Sequence, residues 1–222
     1  IEAGGDVIIR KGCQGKGLGK IIAGKSIVGQ FFESAVLTAG KDVQATYLLN
    51  CQLKANGKLL VEGRKGVIIG GKTCAKLGVS CNGIGNIAEI ATVVSVGIDK
   101  EDMTAYQELQ KKIEQTQAEL QTCENGLNKL MANPVHDEKV SMMIQRLTRA
   151  VYTLKSSRKE LFSERDAQME QMTKQKEARI QVSGRVYPGT LLFLNEDPFA
   201  IKEIYNNVEF VKHDNRIDTL AH

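Results

Sequence analysis

A small residue followed by glycine, a short polar residue and an apolar one recurs five times before residue 75, and this repeat restricts the fold more than any other feature. It reads Ala3-Gly4-Gly5-Asp6-Val7, Ala23-Gly24-Lys25-Ser26-Ile27, Ala39-Gly40-Lys41-Asp42-Val43, Ala55-Asn56-Gly57-Lys58-Leu59 and Gly70-Gly71-Lys72-Thr73-Cys74. Taken at residues 4, 24, 40, 56 and 71, the intervals are 20, 16, 16 and 15. That is too short for a two-helix repeat and suits one winding of a β-solenoid, whose units bury their apolar faces only by stacking. The β-branched-rich runs between them, such as Val7-Ile8-Ile9, Leu59-Leu60-Val61 and Val67-Ile68-Ile69, are expected as short strands bounded by glycine turns. Asn56 in a glycine place is expected where the backbone takes a positive φ.

Composition divides the chain. Of 21 glycines, 18 precede residue 98. Residues 1–98 carry a net charge of +6, residues 99–180 of 0 and residues 181–222 of −2, within a total of +4. So small a balance requires neither nucleic acid nor an anionic membrane as a partner. No apolar run is long enough for a transmembrane segment, and no basic-then-apolar leader opens the chain. The chain begins at Ile1 in the middle of a patterned segment, so it is expected to be a fragment with an upstream region missing.

The middle third is helical. Asp99 is expected to cap a first helix, with acidic groups in its first turn. Tyr106, Ile113, Leu120 and Leu127 are seven apart, with Leu109, Thr116, Cys123 and Leu130 three residues after each, the spacing of a coiled-coil seam. The run stops at Asn133-Pro134. A second seam follows through Val140, Ile144, Leu147, Val151, Leu154 and Leu161, then Arg158, Arg165 and Gln168 to Met172, so its distal half is poorly apolar. A short loop between the helices implies a projecting antiparallel hairpin. After Arg179 strand patterns return: Ile180-Gln181-Val182, a turn at Val186-Tyr187-Pro188-Gly189, the run Leu191-Leu192-Phe193-Leu194, and Tyr205 to Lys212. The expected domains are a glycine-rich solenoid at 1–98, a helical hairpin at 99–179, and returning strands at 180–222 that complete or cap the solenoid.

Two segments match the phosphate-loop pattern G-x-x-x-x-G-K-[ST]: Gly19 to Ser26 and Gly66 to Thr73. A working loop needs a long helix after it. Here the intervening residues are strand-like and both segments fall on the repeat, so they are read as repeat turns, with no cofactor. Cys13, Cys51, Cys74, Cys81 and Cys123 form no Cys-x-x-Cys pair and lie far from His136, His213 and His222. They are expected to be reduced, mostly buried thiols in a cytoplasmic protein, without a metal. Residues 1–98 hold no histidine, which leaves no catalytic triad within them; His213 is the one histidine with a route to a rung. Lys16, Lys20, Lys25, Lys41, Lys58, Lys65 and Lys72 are read as solvated corners rather than a stripe for an anionic partner.

The stretches Lys16-Gly17-Leu18-Gly19-Lys20-Ile21-Ile22-Ala23-Gly24-Lys25-Ser26-Ile27, Gln30-Phe31-Phe32-Glu33-Ser34-Ala35-Val36 and Lys65-Gly66-Val67-Ile68-Ile69-Gly70-Gly71-Lys72 resemble the bacterial flagellar assembly protein A family. The hairpin and the Val186-Tyr187-Pro188-Gly189 return are similar to its continuation. The resemblance implies a β-helix interrupted by an antiparallel coiled coil, in a bacterial cytoplasmic protein without established catalytic residues. The expected fold is mainly β with an α insertion: a right-handed parallel β-helix (solenoid) broken by a long antiparallel coiled-coil hairpin. The expected function is a non-enzymatic scaffold for protein partners, in flagellar assembly or polar organisation, with homo-oligomers allowed. The candidate contact is the hairpin tip: Met131, Asn133, Pro134, His136 and Lys139. The alternatives are a polymer-forming β-helix and a hexapeptide-type acyltransferase; the second would repeat every six residues and use a histidine base.

Overall fold

The computed structural model describes residues 1–132, 137–214 and 216–221. The chain divides into two compact units, one made of Ile1–Asp99 with Met172–His222 and one of Lys100–Gln171.

The first unit is a β-solenoid of about five turns. Strands β1 (Glu2–Ala3), β2 (Val7–Ala23), β3 (Ile27–Ala39), β4 (Val43–Ala45), β5 (Tyr47–Ala55), β6 (Leu59–Val61), β7 (Val67–Ala75), β8 (Val79–Ile84) and β9 (Thr92–Val96) precede the helices; β10 (Ile180–Val186) and β11 (Thr190–Leu194) follow them. Pairing between successive windings is parallel throughout. The register stacks inward residues in three columns. One runs Val7, Ile27, Val43, Leu59, Val79 and Ile180. The second runs Phe32, Leu48, Ile68, Ile84 and Val186. The third runs Ile21, Leu37, Leu53, Thr73, Val94 and Leu192. All are buried, and each large apolar member contributes about 1.5–3 kcal/mol by leaving water.

The register corrects two details of the sequence reading. The repeat column runs Ala3, Ala23, Ala39, Ala55, Ala75, Val96 and Leu194. The amides of Gly24, Gly40, Asn56 and Lys76 each donate to the carbonyl of the alanine one winding earlier. Lys76 therefore holds the fifth place, and Gly71 lies opposite Cys51 on another part of the winding. Nor does this corner use positive φ: Gly24, Gly40 and Asn56 are all outside that region. Glycine is needed here for close stacking, because a Cβ on Gly24 would strike the Gly4 carbonyl oxygen and one on Gly40 that of Gly24. Left-handed backbone sits elsewhere, in a column at Ser34 (φ 48°), Asn50 (φ 50°) and Gly70 (φ 69°). There the chain bends inside hydrogen-bonded strands, which is why β2 and β3 run 17 and 13 residues where short strands were expected.

The helical insertion replaces one corner of one winding. In successive turns the carbonyls of Ser26, Asp42, Lys58 and Gly78 accept from Val7, Ile27, Val43 and Leu59; the next acceptor, for Val79, is Arg179. The rung thus resumes in register after the helices. Beyond β11 the pairing turns antiparallel: β12 (Asp197–Ala200) on β11, β13 (Tyr205–His213) on β10, and β14 (Arg216–Ala221) on β13. Phe199, Tyr205 and Phe210 pack ring against ring at centroid distances of 5.7–6.4 Å, and Phe210 is fully buried. These strands and rings close the last winding.

The second unit holds α1 (Lys100–Met131) and most of α2 (Glu138–Lys176). Asp99 directly precedes α1, and the Asp137 carboxylate accepts from the Val140 amide at 2.8 Å as the cap of α2. Exposure follows the seven-residue pattern. Leu109, Ile113, Leu120 and Val151 are buried; Tyr106, Thr116, Cys123, Leu127, Leu130, Ile144, Leu147, Leu154, Leu161 and Met172 are half-buried. Arg158, Arg165 and Gln168 are half-buried too. Arg165 is satisfied within α2: its guanidinium donates to Asp166 at 2.7 Å and lies 4.6 Å from the Phe162 ring centroid. Another chain is not needed to neutralise it.

Candidate functional site

Of the tip residues, Met131 ends α1 and Lys139 lies in the first turn of α2. Met131 is 62% exposed and Lys139 is exposed; Asn133, Pro134 and His136 lie outside the described residues. Met142 and Met143, one turn into α2, are exposed as well, and the heptad pattern alone gave no reason to single them out.

The place where the insertion joins the solenoid is tied by one side chain. Asn195 follows β11 with φ 50°, in a turn that asparagine tolerates because its short amide bonds locally. Its Oδ1 accepts from the Ile98 amide at 2.9 Å and its Nδ2 donates to the Lys176 carbonyl at 3.2 Å. The two ends of the helical segment are thereby held by one residue. Gly97 has φ 88°, and a Cβ there would strike the same Oδ1, so backbone and packing both favour glycine. Asp99, beside it, lies 3.9 Å from both Lys54 and Lys76. Sequence reading reserved Asp99 for the helix start and did not find Asn195, whose partners are 97 and 19 residues away.

The phosphate-loop matches occupy strands. Gly19 to Ala23 lies in β2 and Ser26 leads into β3; Val67 to Thr73 lies in β7, which continues to Ala75. Neither segment opens a helix, so neither presents a helix N-terminus to a phosphate. The repeat lysines are dispersed. Lys25 and Lys41 directly follow Gly24 and Gly40, whereas Gly57 holds that place in the next winding and Lys58 comes one residue later; Lys20 and Lys72 lie within β2 and β7; Lys65 stands 5.6 Å from the Tyr47 ring centroid. They do not form one stripe.

Cys51 and Cys81 are buried and Cys13, Cys74 and Cys123 half-buried, all as free thiols. Burial pushes the Cys81 thiol up to about 12. Burial also raises Cys51, which donates to the Phe32 carbonyl at 3.2 Å. Thiols held protonated in this way are poor nucleophiles. His213 stands exposed at the end of β13, paired with Arg216. An open depression lined by Asp197, Pro198, Phe199 and Ile217 carries a single carboxylate, short of the polar constellation that a reaction site needs. Among the described residues no group of three or more His, Cys, Asp or Glu is placed to hold a metal ion, and no helix is long and apolar enough to cross a membrane.

Residues 1–217 match the family model of the flagellar assembly protein A (FapA) β-solenoid domain. No curated protein and no solved structure matches the chain.

Proposed function

Because the chain belongs to the FapA β-solenoid family, we propose that it is a non-enzymatic scaffold that holds a helical hairpin for a protein partner, within flagellar assembly or polar organisation. The observation that carries this reading is the helical unit: 72 residues with a half-buried seam and exposed methionines at its turn. We infer a right-handed winding for the solenoid and an antiparallel coiled coil for the helices. Lys155 pairs with Glu124 at 2.9 Å, and a Cβ on Gly126 would lie 3.7 Å from Leu147, both of which support antiparallel pairing. The partner contact is the tip, with Met131 and Lys139 in its described part. Free thiols agree with a cytoplasmic setting. The antiparallel strands and aromatic cluster that close the last winding work against end-to-end polymers, so the scaffold reading is preferred to a filament.

The test is capture from native lysate by the intact protein, by a version lacking residues 100–171, and by Met131→Ser/Lys139→Glu. Loss of the same partner with both changes supports the tip. Unchanged capture without the helices refutes the reading and moves attention to the solenoid surface.

A further inference from the structure

The helical segment is neutral in sum, yet its charge is unevenly placed. From Lys139 to Lys159 the chain carries Lys139, Arg146, Arg149, Lys155, Arg158 and Lys159 and not one acidic residue. Lys155 is answered by Glu124. No ion pair engages Arg146 or Arg149 among the described residues, and both are exposed. At 100° per residue Lys139, Met142, Arg146 and Arg149 share one side of α2, turned away from the seam at Ile144, Leu147 and Val151. Met142 is 50% and Tyr152, at the edge of the stripe, 78% exposed.

We propose that this basic, methionine-bearing stripe of α2 docks an acidic amphipathic helix of a protein partner. The inference rests on the scaffold reading and supplies its partner chemistry. Six cations in 21 residues, with Lys155 alone of them ion-paired among the described residues and no acidic residue among them, attract an anionic surface. Exposed Met and Arg are interface-forming types, the thioether adapting to an apolar neighbour and the guanidinium gripping carboxylates in pairs. A membrane-surface helix would keep an apolar face free to enter the bilayer; here that face is the seam, where Val151 is buried. Single-stranded nucleic acid would call for a series of stacking aromatics, and Tyr152 is the one aromatic between residues 139 and 159.

The experiment measures binding of the intact chain to a fluorescein-labelled amphipathic peptide of Glu and Leu, beside single-stranded poly(U) RNA and phosphatidylglycerol vesicles. Wild type is compared with Arg146→Glu/Arg149→Glu and with Lys111→Glu/Lys112→Glu. The expected result is peptide binding that weakens with salt, falls about tenfold or more in the Arg146/Arg149 charge reversal and is unchanged in Lys111→Glu/Lys112→Glu, a reversal of two exposed cations on α1, with helix content preserved. No peptide binding, equal binding by the charge-reversed protein, or tighter binding of RNA or vesicles overturns the proposal. Each of those results leaves lysate capture through the tip to stand or fall by itself, so the two readings fail separately.

Discussion

Asn195 offers the most direct test of how the segments before α1 and at the end of α2 are held within the first unit. Its side chain makes two hydrogen bonds, to Ile98 and Lys176, while its backbone sits at φ 50°. Asn195→Gly removes both bonds and relaxes the backbone; at about 1 kcal/mol per bond, partly offset by that relaxation, the expected cost is about 1–2 kcal/mol. Asn195→Ala removes the same bonds and forces a Cβ residue to remain left-handed, which adds about 1 kcal/mol. Asn195→Asp keeps an acceptor for Ile98 but sets a carboxylate against the Lys176 carbonyl, so it should cost about as much as alanine although it is nearly isosteric. The backbone bond from the Asn195 amide to the Val96 carbonyl persists in all three. Hydrogen exchange with mass spectrometry reads the effect where it arises: peptides covering 174–180 should exchange faster in every variant and those covering 95–101 in the glycine and alanine variants, while those covering 27–60 should not change. Equal stability of the glycine and alanine variants would refute the backbone argument, and unchanged exchange at 174–180 in Asn195→Gly would refute the tie itself.

At the left-handed column, a Cβ on Gly70 would strike Asn50 Oδ1. Gly70→Ala should therefore lose about 2–4 kcal/mol in urea unfolding, and only about 1–2 in an Asn50→Gly background, where the backbone cost alone remains; identical losses in both backgrounds would exclude the steric cause. The Cys81 thiol, raised from 9.0 to about 12, keeps its proton in the folded chain where the unfolded chain loses it. Its contribution is full below pH 9 and lost as pH climbs towards 12, by about 1.4 kcal/mol per unit; Cys81→Ala should flatten the fall in urea midpoint between pH 9 and 10 under reducing conditions, and an unaltered slope would contradict the assignment.

The helices were legible because their signal is local. Every seam position read from seven-residue spacing, Tyr106 to Met172, lies among the buried or half-buried residues, since turn-to-turn neighbours in a helix are three and four apart. The windings were legible as a period but not in register, because glycine carries two meanings that sequence does not separate. Gly24 and Gly40 are small so that carbonyls can pass, whereas Gly70 is small so that the backbone can turn left-handed. Reading both as one signal put Gly71 where Lys76 belongs. Asn195 was invisible for a related reason: its partners are adjacent only after the winding closes. The tip was expected from Asn133-Pro134, which lie outside the described residues, and the basic stripe on α2 required the exposure pattern to separate outward from seam-facing cations.

The insertion also bears on the order in which the molecule is assembled. Most windings pair residues 16 to 21 positions apart, but Val96 meets Leu194 across 98. Closing that span with a disordered chain would cost about 1.4 kcal/mol more than closing an ordinary winding. Helices and their hairpins form from neighbouring residues in microseconds, well before long-range strand pairing. With the helices paired as proposed, the open span is shortened before β10 meets β8 and β11 meets β9. The helical segment then acts as an internal splint, and its folding sets when β10 and β11 can join the stack.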